Sequence, residues 1–228
     1  MKKPLTYKVT ILAYPGMTML DAIGPNEVLS NSPHFNVQFV TTSLQNTVND
    51  NQNIALANLP HFSEINDTDI LLVPGGPGDK TCMENKELMA WIRDMDKQTR
   101  VTASVCTGSL ILANAGVLQK KQACTHWACL EELENLGAIP ARQRFVQDGK
   151  HLTSSGVSAG IDMALYLVKE LISKEHAKML RFGIEYFPNQ LNLLSSYTIP
   201  RFMLRKLANK VKDVIEGARN KVKAWEHG

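Results

Sequence analysis

Apolar positions along the chain fall into two spacings. Val9-Thr-Ile-Leu-Ala13, Asp69-Ile-Leu-Leu-Val73 and Val101-Thr-Ala-Ser-Val105 are short apolar or β-branched runs with little alternation, as a parallel strand covered on both faces requires. Phe35–Thr41 alternates and predicts another strand. Between them, apolar residues recur every three or four positions. Leu88, Met89, Trp91, Ile92 and Met95 predict a helix over 85–99, and Leu110, Ile111 and Ala113 another over 107–115. Further helices are expected over 21–30, 161–171 and 175–186. Strands alternating with helices predict an α/β domain around a mostly parallel sheet.

Breaks in the pattern add detail. Asp148-Gly149 turns a hairpin over Phe145–Thr153, Gln122–His126 reads as a short strand, and the Asn-rich stretch 46–58 as a loop with a short excursion. Pro74-Gly-Gly-Pro-Gly78 follows a strand, where glycines let backbone approach a ligand closely. Ser154–Gly160 is a loop of small residues opening a helix and suited to line a pocket. No repeat or linker interrupts the chain, so residues 1–200 read as one domain. Apolar residues at 204, 207, 211, 214, 215, 218 and 222 make 201–228 an amphipathic helix with a basic outer face. It is expected to pack on the domain or on a dimer partner.

Composition narrows the function classes. The 228 residues are 44% hydrophobic and 21% charged, against disorder. No apolar run nears the roughly 18 residues of a membrane span, and the start reads as a strand and not as a signal peptide; a cytoplasmic protein is expected. A net charge of +3 is too mild to imply nucleic acid. Cysteines 82, 106, 124 and 129 and the scattered histidines lack metal or disulfide spacing, so no metal is expected. Gly78-Asp79-Lys80-Thr81 is not a Walker loop and no G-x-G-x-x-G occurs, which argues against a nucleotide.

The candidate chemistry centres on Cys106. It falls where a buried strand becomes a helix, inside Ser104-x-Cys106-x-Gly108, the spacing of a nucleophile elbow. A helix starting just after it would favour the thiolate. Asp21 reads locally as a helix cap, the alternative being a carboxylate aimed into a pocket. His126, beside Trp127, is either a base or a packed ring. Cys124 and Cys129 read as inert packing.

Taken together, Leu20-Asp21-x-x-Gly24-Pro25, Val73-Pro-Gly-Gly76, Ser104-Val-Cys106-Thr-Gly-Ser109, Thr125-His-Trp127 and Ser155-Gly-Val-Ser-Ala-Gly-Ile-Asp162 resemble the ThiJ/PfpI superfamily. The likeness is closest to its isocyanide hydratase branch. The resemblance implies a flavodoxin-like three-layer sandwich with a nucleophile-elbow cysteine, a homodimer, and catalysis without a cofactor. It implies Cys106 as nucleophile and Asp21 as the carboxylate bonded to its sulfur, displacing the cap reading. Backbone donors would come from Gly76 and Thr107, and Gly156 and Val157 would border the substrate. The expected reaction adds water to an isocyanide through a cysteine thioimidate. Rival expectations are a glyoxalase- or deglycase-like enzyme acting on small dicarbonyls, and a non-catalytic cysteine redox sensor or stress-protective protein. Thr107 stands where peptidase-like members carry His, so their Cys-His dyad is absent. The residues after the matched region are too few for the DNA-binding domain of the superfamily's regulators; a sensory domain that has lost such a partner ranks last, with the basic tail as its only support.

Overall fold

The structure is a computed structural model that describes residues 6–43, 47–188 and 201–226, the last stretch with side chains at 209 and 211–224. In chain order the first half holds β1 (Tyr7–Ala13), α1 (Met19–Ser30), β2 (Phe35–Thr41), β3 (Thr47–Val48), β4 (Ala55–Leu56), β5 (Ile70–Val73), α2 (Asp79–Glu84) and α3 (Lys86–Gln98). The second half holds β6 (Val101–Val105), α4 (Gly108–Asn114), β7 (Gln122–Ala123), α5 (Leu130–Asn135), β8 (Ile139–Pro140), β9 (Phe145–Asp148), β10 (His151–Ser154), α6 (Ala159–Leu171), α7 (Lys174–Gly183) and α8 (Arg201–Glu226).

Six strands form one sheet in the order β2-β1-β5-β6-β10-β9. Every neighbouring pair is parallel except the β10–β9 hairpin at the edge. The apolar runs account for this, because every residue of β5 and β6 is buried. Helix α1 packs on α6, which carries α7, while α2, α3 and α5 gather around α4. The sheet lies between these two groups, as expected of a flavodoxin-like sandwich. The chain steps from β1 outward to β2, then returns across β1 to β5. A sheet whose order reverses in this way leaves a crevice at the carboxyl ends of the two strands. Tyr14–Thr18 and Pro74–Gly78 meet there.

Local chemistry sets the boundaries. Asn85 caps α3 by accepting the Leu88 N–H at 3.0 Å, and Leu88, Met89, Ile92 and Met95 bury its apolar side. The Asn-rich stretch, whose Asn46 lies outside the described residues, is an antiparallel ribbon of β3 and β4. The Asn49 side chain closes its turn, accepting from Asn53 and Ile54 N–H at 3.1 and 3.0 Å, a bond that hydropathy does not show. The strand expected over 122–126 is only β7, paired with β8 outside the main sheet. It stops where Cys124 N–H turns to Thr153 Oγ1, 2.8 Å away. The helical repeat also missed α2 and α5, each under two turns long.

Helix α8 lies against α2 and the Trp127–Cys129 turn of its own chain. Its Val222 is buried and its Val214 is not; Leu204 and Leu207 lie outside the described side chains. Among the described residues no helix is long and apolar enough to cross a membrane.

Candidate active site

Between β6 and α4 the backbone turns through Cys106 at φ 56°, a left-handed conformation that costs a non-glycine residue and persists only when its surroundings enforce it. Here they do. Cys106 N–H donates to Ser154 O at 3.1 Å, and its carbonyl accepts from Ser109 Oγ at 3.1 Å and Thr125 Oγ1 at 3.2 Å. Gly75 closes in from the β5 loop. A Cβ on it would stand 2.4 Å from Thr107 N and 2.9 Å from Cys106 Cβ, so only glycine fits.

Asp21 arrives from α1. The local cap reading fails, because Thr18 is the N-cap and Asp21 lies inside the first turn. Its side chain is buried and reaches across to the loop after β5, where Oδ2 accepts the Gly75 N–H at 3.1 Å. Oδ1 is buried without a partner of full hydrogen-bond geometry, although the Cys106 thiol lies close enough for each group to shift the other.

The remaining expected residues surround this pair. Thr107 is buried, and its Oγ1 accepts the Gly76 N–H at 3.0 Å. Gly76 therefore holds Thr107 in place, and its N–H is not open to a ligand as the sequence led us to expect. Thr107 N–H points to the sulfur. Gly156 stands over the thiol: a Cβ there would lie 3.0 Å from both Cys106 Sγ and His126 Cδ2. Val157 follows, half-buried, in the same turn. His126 Nδ1 accepts the Ala128 N–H at 3.4 Å, which assigns the ring proton to Nε2. Burial lowers its pKa, so the ring is a neutral wall of the site.

Electrostatics depart from the expectation of a depressed thiol. Burial pushes the Cys106 thiol well up, the Asp21 carboxylate adds to it, and the Thr107 N–H pulls the other way. Burial also lifts Asp21 to about 7, against the Gly75 and Cys106 hydrogen bonds. Two acidic groups so close titrate as a pair. Below about 7 both hold protons; above it one proton serves two sites. That state can attack with one atom and protonate with the other. Burial carries Cys124 up to about 11, against the hydrogen bond to Gln143, and it leads in carrying Cys129 up to about 12, so both stay inert thiols.

Sequence reasoning passed over Arg144. Its carbonyl accepts from Ser155 N–H at 2.9 Å and Ser155 Oγ at 3.0 Å, while its guanidinium binds Asp162 and reaches Ser158 Oγ at 3.3 Å. Arg144 thus grips both ends of the loop that carries Gly156. No local pattern marks it; only Asp162, in a motif already noted, pointed to this corner. Among the described residues no three His, Cys, Asp or Glu side chains gather as a metal centre would need.

Known proteins resemble this chain in sequence and in fold. The DJ-1/PfpI family matches residues 7–170. Isonitrile hydratase from Pseudomonas putida is 38% identical over 184 residues, covering 81% of this chain and 80% of that protein. The transcriptional regulator GbdR of Pseudomonas aeruginosa is 33% identical over 120 residues, 51% of this chain and 31% of the regulator. Among solved structures, a ThiJ/PfpI family protein from Pseudomonas syringae superposes with a TM-score of 0.85 at 30% identity, covering 96% of this chain and 91% of that one.

Proposed function

The chain belongs to the DJ-1/PfpI family, and on that footing we propose that it is an isocyanide hydratase with Cys106 as nucleophile and Asp21 as proton carrier. The observation that carries this reading is the buried carboxyl–thiol pair, held by Gly75 N–H on one side and covered by Gly156 on the other. Similarity to an isonitrile hydratase, isonitrile being another word for isocyanide, supports the substrate class.

The terminal carbon of an isocyanide takes a nucleophile and must gain a proton. Cys106 Sγ bonds to that carbon while Asp21 delivers the proton, giving a thioimidate, S–CH=N–R. Asp21, now a carboxylate, takes a proton from water as the oxygen adds to the same carbon. Asp21 passes that proton to the nitrogen; as the C–S bond breaks, the sulfur leaves as thiolate, the hydroxyl proton of the adduct returns to Asp21, and an N-substituted formamide leaves in the starting protonation state. Two side chains and water balance the sequence, so the proposal calls for no cofactor. Since the attacking state needs the pair to have lost one proton, kcat/KM is expected to rise with pH through about 7.

Rapid quenching during turnover of an alkyl isocyanide tests the chemistry. The Cys106 peptide should gain the mass of one whole isocyanide, and Asp21→Asn should abolish the gain. Turnover of methylglyoxal with no reaction of the isocyanide would favour the dicarbonyl reading instead.

A further inference from the structure

Helix α8 lies beyond the residues that the family matches, and two of its side chains press on the loops around the Cys106–Asp21 pair. Arg219, 3% exposed, donates from Nε and Nη2 to Asp79 Oδ1 and Oδ2 at 2.8 and 2.7 Å. Its partner is the first residue of α2 and is fully buried; the Asp79 N–H donates to Gly76 O at 3.0 Å. Close by on α8, Val222 packs on Gly16, where a Cβ would stand 2.6 Å from Val222 Cγ2.

Those two contacts meet in one place. Gly78 N–H donates to Gly16 O at 3.1 Å and Thr18 N–H to Gly75 O at 2.8 Å, so the loops 14–18 and 74–78 are interlocked. The first leads into α1 and Asp21. The second supplies the Gly75 N–H on Asp21 Oδ2 and the Gly76 N–H on Thr107 Oγ1. One helix face therefore contacts both loops, Val222 on Gly16 and Arg219 on Asp79. A fold that required only stability would be served as well by a packed apolar pair. A bidentate guanidinium–carboxylate pair adds fixed distance and angle.

We infer that Arg219 is a positioning residue for the Cys106 centre, acting through Asp79 and the Gly75–Gly78 turn. The inference rests on Cys106 being the reactive group proposed above, and not on the isocyanide.

Arg219 Nη1 also binds Glu216 at 2.8 Å, and its Nη2 lies 3.3 Å from Glu132. Removing it alone would leave three carboxylates together, so the test uses Arg219→Lys and the double variant Arg219→Gln/Asp79→Asn. The rate of Cys106 alkylation by iodoacetamide, read peptide by peptide in the whole protein, is followed across the pH range around Asp21's titration, with a melting curve for each protein. Positioning predicts a folded double variant whose Cys106 reacts roughly tenfold more slowly, with its pH midpoint displaced, because small misplacements of reacting groups are costly. Arg219→Lys, with one donor atom in place of a fork, should fall between. A wild-type rate and midpoint in both variants, whatever happens to melting, would overturn the inference and leave the function untouched. A wild-type Cys106 no more reactive than Cys129 would overturn both.

Discussion

An aspartate without solvent and with one backbone donor keeps its proton far above the ordinary carboxylate range, and for Asp21 that value is about 7. Unfolded, the same group titrates near about 3.9. The folded state binds this proton more tightly, so its contribution to stability is complete below about 4 and is lost as pH rises through about 7. The full swing is on the order of 4 kcal/mol. Asp21→Asn has no proton to lose. Urea unfolding should therefore show the variant gaining on the wild type between about pH 5 and about pH 8; an equal difference at both would contradict the burial account. Thr107 supports a second prediction. Thr107→Val leaves the Gly76 N–H buried and unpaired, which should cost about 1–3 kcal/mol in thermal unfolding, while Thr107→Ser should retain most of it. At this scale the sequence was informative about Cys106, because the change from strand to helix spacing is written around it. Local pattern was silent on Asp21, since a carboxylate early in a helix looks the same whether it caps its own backbone or reaches Gly75 across the crevice; only the family resemblance of Leu20-Asp21-x-x-Gly24-Pro25 assigned it to the sulfur.

Elements were legible in proportion to their length and periodicity. The apolar runs of β1, β5 and β6 and the spacing of α3 and α6 appear in the structure within a few residues. Helix α8 was visible too, but its Arg219 was not. In sequence that arginine belongs to a basic polar face; in the structure it turns inward to a carboxylate 140 positions away. No local pattern reports such a partner. A buried pair broken on one side leaves a charge without compensation, so Arg219→Met should lower stability by about 3–5 kcal/mol. Asp79→Asn added to Arg219→Met should return most of that loss, measured by chemical denaturation of both proteins. A double variant as unstable as the single would mean that the loss lies in packing of the side chain and not in the charge.

For the whole molecule, alternating strands and helices implied a parallel sheet but not its order, because any strand sequence satisfies the same hydropathy. The order β2-β1-β5-β6-β10-β9 is what brings Tyr14–Thr18, Pro74–Gly78 and Cys106 to one end of neighbouring strands. Three distant segments, of which only the one carrying Cys106 is chemically distinctive alone, thereby enclose one thiol and one carboxyl. The measurement that tests this account most directly is formamide production from para-nitrophenyl isocyanide by the wild type beside Cys106→Ala. The account predicts steady formamide release by the wild type and none by the variant. A wild type that releases no formamide, or a variant that still does, would contradict it.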